Sequence, residues 1–285
     1  MKKLFLIISL LFTITSAYAK VNVIVSIAPQ KTFVEEIGKD LVNTTLLVPI
    51  GSNPNFYEPK ISQMTAVEKA DLYLTIGGHF EKAWLPKIKN QNKQMDIFDC
   101  STGIERIPMK FHKKHKKVSK RGLPAKDIHV WLTPQNIEII GKNIYESLVK
   151  LDSKNKKYYK KNYEEFIKKT KQTDKKIQVI LKDVKHDSKF MVFHPAWGYF
   201  AKEYHLEQIA IEVEGKEPKP STLAQMIEKA RKAKVKAILT QPEFSQKGAK
   251  LIANELNIKV IGISPLNPKW SKNLINLANA IANNN

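Results

Sequence analysis

The feature that most limits this chain is a stretch without glycine or proline from Asn155 to Val184, "NKKYYKKNYEEFIKKTKQTDKKIQVILKDV". At 1.5 Å per residue an unbroken helix of this length reaches about 45 Å. One α/β lobe does not need an element that long. The stretch predicts a rigid strut joining two units.

On either side of it, short apolar runs alternate with helical patterns. Before it come the strands "VNVIVSI", "TTLLVPI", "LYLTIG" and "QMDIFDC", separated by "KTFVEEIGKD", "KISQMTAVEKAD" and "FEKAWLPKIKN". The helix "QNIEIIGKNIYESLVKLD" then leads into the strut, with Thr133 or Asn136 at its start as cap. After the strut come "KFMVFH", "LEQIAIEVE", "VKAILTQ" and "KVIGISP", with helices "STLAQMIEKARKAK", "SQKGAKLIANELN" and "WSKNLINLANAIA". Continuous apolar strands spaced by helices mean parallel βα units. The expected fold is α/β: two βα lobes with parallel-type sheets, residues 20–150 and 187–285, joined by a long rigid helix within 151–186. No sequence repeat links the halves, although the order of elements repeats.

Two segments stand outside this scheme. "MKKLFLIISLLFTITSAYAK" pairs two lysines with an apolar run from Leu4 to about Ile14 and the small-residue pattern Ala17-Tyr18-Ala19. That is the pattern of a signal peptide, with cleavage expected after Ala19. The apolar run is shorter than the roughly 20 residues of a membrane span, and no cysteine follows to carry a lipid. The second segment, 107–126, reads "IPMKFHKKHKKVSKRGLPAK" and is expected to be a basic, mobile surface loop.

Charge bears on partners. The net charge is +21, and removing Lys2 and Lys3 leaves +19. An anionic partner is one explanation. Lysines spread over solvated helix faces in an exported protein are the other, and no nucleic-acid fold signature accompanies them. Cys100 is the sole cysteine and ends a strand-like run, so it reads as a small buried hydrophobe without an internal disulfide.

Three histidines close apolar strands or lie just outside them: His79 after "LYLTIGG", His129 in "DIHVWLTP" and His194 at the end of "KFMVFH". Ligand sites of parallel α/β sheets gather at such ends. Single histidines there are often structural, yet three at equivalent ends point to convergence on one ion, for which neutral imidazole is the commonest ligand. Asp127, two residues before His129, or nearby backbone carbonyls are placed to orient an imidazole. Trp131, Trp197 and Tyr199 read as a dry wall around the site or as core. His112 and His115 share helical spacing but stand among lysines, which oppose cation binding. Between Pro54 and Pro59, "PNFYEP" is a stiff loop that offers Asn55 and no strong ligand. Motifs for nucleophilic hydrolases, zinc proteases, phosphate loops and Cys pairs are absent from the sequence.

Taken together, "PIGSNPNFYEPKISQM", "IGGHFEKAW", "DIHVWLTP", "HPAWGYFAKEYHL", "IEVEGKEPKPSTL", "LTQPEFSQKGAKLIANEL" and "ISPLNPKWSKNL" resemble the zinc/manganese class of bacterial ABC-transporter substrate-binding proteins. They span almost the whole chain in the expected order. The resemblance implies two lobes with a metal in the cleft between them, and a charged histidine-bearing loop, here short and lysine-rich at Lys110 to Arg121. It implies four ligand positions. Two are His129 and His194. A third, histidine in the family, falls on Asn55, and the fourth, often a carboxylate or water, falls on Ser264. An amide or hydroxyl oxygen is a weaker Zn²⁺ donor than imidazole or carboxylate, so His79 is the expected replacement, with Asn55 as its hydrogen-bond partner.

The function expected is that of a periplasmic receptor, a non-enzyme. It carries Zn²⁺, or alternatively Mn²⁺ or another metal species, to a membrane ABC permease, as a monomer and without nucleic acid. The rivals are a zinc-dependent hydrolase using Glu243 or Glu58 as base, and a basic protein that binds surface polyanions.

Overall fold

The computed structural model of the chain describes residues 20–109, 125–212 and 219–284. The signal-peptide reading of 1–19 and the His112/His115 pair lie outside the described residues.

The first lobe runs β1 (Val21–Val25), α1 (Ala28–Gly38), β2 (Val42–Leu46), α2 (Ile61–Glu68), β3 (Leu72–Thr75), α3 (His79–Gln91) and β4 (Asp96–Asp99). Then α4 (Pro134–Leu151) and α5 (Lys156–Leu181) lead across. The second lobe runs β5 (Lys189–Val192), α6 (Gly198–Glu203), β6 (Glu207–Ala210), α7 (Pro220–Lys232), β7 (Ala237–Thr240), α8 (Lys247–Leu256), β8 (Lys259–Gly262) and α9 (Trp270–Ala282). Both sheets are four-stranded and parallel throughout, with orders β2-β1-β3-β4 and β6-β5-β7-β8. The repeat of architecture expected from the sequence is therefore strand-for-strand.

Buried Val, Ile and Leu on consecutive strand positions explain the parallel arrangement: β3 is covered on both faces by helices. In each sheet the chain reverses its direction of travel between the two central strands, β1 and β3 in one lobe, β5 and β7 in the other. A crevice opens at the C-terminal ends of such a pair.

The strut is shorter than expected. α5 has 26 residues, about 39 Å at 1.5 Å per residue, and a separate 3₁₀ turn, Ser153–Asn155, precedes it. One stripe of α5, Tyr159, Asn162, Phe166, Thr170, Thr173, Ile177 and Leu181, is buried. Asn162 donates to the carbonyl of Ile37 in the first lobe at 3.1 Å, and Thr173 shares a 2.6 Å hydrogen bond with Ser271 in the second. Between them Phe166 meets Phe33 of α1 and Trp270 of α9, with the three ring centroids 5.7–5.9 Å apart. Edge-on packing of this kind adds to area burial. Both lobes and the helix thus share one continuous apolar cluster. Gly141 makes this possible, since a Cβ there would stand 2.6 Å from the Phe166 ring.

Local details correct the sequence reading. Among the described residues of "LEQIAIEVE" only β6 is a strand, and "GYFAKE" forms a helix, α6, that was not expected. Thr133 occupies the N-cap position of α4, but its hydroxyl pairs with the Gln135 side chain and not with a backbone amide. Cys100 is buried as expected, donating to the Thr75 carbonyl at 2.9 Å, and burial pushes its thiol pKa upward. Among the described residues no helix is long and apolar enough to cross a membrane.

Candidate metal centre

His129 and His194 come from opposite sides of the cleft, and each ring is locked by a buried carboxylate. Asp127 accepts from both the backbone N–H of His129, at 2.9 Å, and its ring Nδ1, at 2.8 Å. A carboxylate two residues earlier in the chain can clasp both groups, which fixes backbone and ring together. Asp127 itself is braced: Tyr199 donates from its hydroxyl to the Asp127 carbonyl at 3.1 Å. Gly198 leaves it room, as a Cβ there would lie 2.5 Å from Oδ2.

His194 stands two residues beyond the end of β5. Its backbone N–H and C=O are both bonded to the Gln241 side chain, at 3.0 and 3.1 Å, which ties the ends of β5 and β7 together. Its ring Nδ1 pairs with Glu212 at 2.7 Å, and its face stacks on Phe244 with centroids 4.2 Å apart. Burial is the main cause that lowers the His194 pKa from its ordinary value of 6.5, keeping the imidazole neutral.

A carboxylate on Nδ1 selects the tautomer whose Nε2 carries a lone pair. The two Nε2 atoms face each other at 3.2 Å. Two nitrogen ligands of one tetrahedral zinc, each at about 2.0–2.1 Å, stand about 3.3–3.4 Å apart. The spacing and the orientation therefore both suit a shared cation. Trp131, edge-on to His129, donates from its indole N–H to the Pro265 carbonyl at 2.8 Å, so the His129 loop is joined to the second lobe beside the site.

The other two expected site residues lie elsewhere on the same cavity, which has a volume of about 110 Å³. Asn55 and His79 line its first-lobe wall and are exposed, His79 as the first residue of α3. Among the described residues no group of three or more His, Cys, Asp or Glu side chains is gathered to hold a metal. The structure brings together two of the four, His129 and His194. Beneath His79, Glu81 accepts from the Ser26 hydroxyl at 2.5 Å and from the amides of Ile76, Gly77 and Gly78 at 2.9, 2.5 and 3.0 Å. It holds the turn, with Gly77 at φ 76°, a conformation L side chains avoid.

Glu212 escaped the sequence reading. A signal existed, because it ends an apolar run as the three histidines do. Trp197 and Tyr199 prove to be core, whereas Trp131 lines the cavity. Ser264 does not line it; its hydroxyl donates to Glu243, whose carboxyl pKa burial raises. Glu58 is exposed, and neither Glu58 nor Glu243 is part of the cavity wall.

Known proteins share this architecture and much of the sequence. Residues 23–284 match the family ZnuA, described as zinc-uptake complex component A, periplasmic. The high-affinity zinc uptake system protein ZnuA of Bacillus subtilis is 31% identical over 246 residues, 84% of this chain and 76% of that one. The manganese ABC transporter substrate-binding lipoprotein PsaA of Streptococcus pneumoniae is 27% identical over 257 residues, 86% and 79% of the two chains. A crystal structure of ZnuA superposes with a TM-score of 0.85 at 35% identity, covering 93% of this chain and 99% of that one. Matched along nearly all its described length in sequence and in fold, the chain belongs to the ZnuA family of metal ABC-transporter substrate-binding proteins.

Proposed function

We propose that the chain is an exported receptor that captures a divalent cation, Zn²⁺ first and Mn²⁺ as the alternative, and delivers it to a membrane ABC permease. The observation that carries this reading is the pair of Nε2 atoms 3.2 Å apart, each backed by a buried carboxylate on Nδ1. Two lone pairs directed at one point repel each other, and a cation between them turns that repulsion into two bonds. The carboxylates strengthen both imidazoles as ligands and balance part of the ion's charge.

His129 and His194 are the first two donors. His79 joins from the facing wall, and Asn55 supports it by hydrogen bonding. Residues 20–150 and 187–285 act as the lobes and 151–186 as the link. Capture exchanges water for protein ligands and breaks no covalent bond, so the chain acts as a receptor and not as an enzyme. A metal hydrolase needs a base beside a metal-bound water; Glu58 is exposed, and neither it nor Glu243 is on the cavity wall. The leader is removed after Ala19. The mature protein acts in the periplasm. It works as a monomer, and its lysines are solvated helix faces with no nucleic-acid role.

The test is metal analysis of mature protein purified without added zinc, followed by zinc–manganese competition. One equivalent of cation with zinc preferred is the expected result. Protein that takes up neither ion overturns the reading.

A further inference from the structure

Four carboxylates are buried among the described residues, Asp127, Glu212, Glu81 and Glu243 at 1, 2, 4 and 8% exposed, and Glu81 and Glu212 line the cavity. Asp127 serves His129, Glu212 serves His194, and Glu81 serves a hydroxyl and three amides. Glu243 is paired with a single hydroxyl: its Oε1 accepts from Ser264, while its Oε2 makes no hydrogen bond among the described residues. Burying a carboxylate oxygen without a donor is costly, and such a group needs an explanation.

Its place in the fold supplies one. Glu243 stands three residues beyond β7, whose end lies beside β5 where the sheet reverses direction. Gln241, two residues earlier, clamps the His194 backbone. Phe244, the next residue, stacks on the His194 ring and lines the cavity. Pro265 and Leu266, from the turn that Ser264 opens, line it too. Glu243 is not itself on the cavity wall, but its neighbour in sequence, Phe244, and the two residues after its hydrogen-bond partner Ser264 are.

We propose that Glu243 is an oxygen donor to the captured cation, leaving the neutral Ser264 hydroxyl when the ion arrives. The proposal rests on the receptor reading above. A carboxylate favours Mn²⁺ more than an added imidazole would, so Glu243 is also the residue that decides how well manganese competes with zinc.

The test compares the mature protein with Glu243→Gln, Ser264→Ala and His129→Ala, using zinc and manganese titrations, Co²⁺ absorption spectra and metal-free thermal midpoints. Glu243→Gln should weaken zinc by about 10- to 100-fold, the range seen when groups around a metal site are lost. It should weaken manganese further, alter the Co²⁺ spectrum and leave the metal-free midpoint undiminished. Ser264→Ala, which removes the competing hydroxyl, should bind zinc at least as tightly as the parent. Parent-like zinc affinity in Glu243→Gln overturns the proposal. So does an unchanged Co²⁺ spectrum, or a Ser264→Ala loss equal to that of Glu243→Gln, since the carboxylate would then act only through the turn. Parent-like zinc binding by His129→Ala refutes the receptor reading itself, whatever Glu243 does.

Discussion

The two lobes share one strand order and one strand direction, but their strand ends are finished in opposite ways. In the second lobe the ends of β5, β6, β7 and β8 lead to His194, Glu212, Gln241 and Ser264, all cross-tied by hydrogen bonds. In the first lobe the segments after β2 and β3 carry Asn55 and His79 to an exposed wall of the same cavity. Glu81, the buried carboxylate of that wall, grips backbone amides where Glu212 grips an imidazole. Topology brings a side chain to the crevice. A buried carboxylate on the far side of its ring is what fixes it there. The half of the site built on His129 and His194 is therefore held before the ion arrives, and the half that carries Asn55 and His79 is exposed.

This contrast is most directly broken at the fixed half. His129→Ala and His194→Ala should each reduce zinc affinity at least 1,000-fold, about 4 kcal/mol, with the circular dichroism of the fold retained. Isothermal titration checks it, and parent-like binding by either variant would remove the site.

The next largest effect is on the frame that both lobes share. Phe166→Ala empties the centre of the Phe33–Phe166–Trp270 contact and should cost about 3–5 kcal/mol of stability. Denaturant unfolding measures the loss, and zinc affinity of the folded variant should stay within a few-fold of the parent. If affinity fell with stability, cleft and frame would not be separable.

At the adaptable half, His79→Ala should weaken zinc by about 100-fold, less than a fixed-half change, because an exposed donor must be ordered on binding. Adding Asn55→His to that variant should recover much of the loss. A His79→Ala protein with normal affinity would leave the first-lobe wall without a ligand.

Acid separates the halves more gently. With the His194 pKa lowered by burial, the unfolded chain takes up its proton near 6.5 and the native state only at lower pH. Its contribution is present in full above about 6.5 and is lost as pH falls through the lowered native value. Metal-free thermal midpoints should fall over that window, and His194→Gln should flatten the slope. Zinc release on acidification should follow the same direction, since protons and the ion compete for Nε2. The smallest effect is expected of Trp131→Phe, which deletes the 2.8 Å bond to Pro265 and should cost about 1 kcal/mol in stability. A larger loss, seen by thermal melts, would make that bond the principal tie across the cleft.

The sequence by itself determined the parallel α/β lobes, the helix between them and the strand-end histidines as candidate ligands. These follow from signals confined to one segment: apolar runs of strand length, a glycine- and proline-free helix, and a polar residue ending an apolar run. Only the tertiary structure decided which strand-end residues converge. Glu212 is 18 residues from the imidazole it fixes, with α6 and β6 between them, and His129 and His194 are 65 apart. The Phe33–Phe166–Trp270 contact joins three helices whose individual patterns say only that one face is apolar. His79 satisfied the same strand-end criterion as His194 and yet lies exposed, because the carboxylate beneath it is taken up by backbone amides. Local periodicity places a residue on an element. Which carboxylate lies behind its ring depends on how separate strands and loops pack, and no single segment of the chain encodes that.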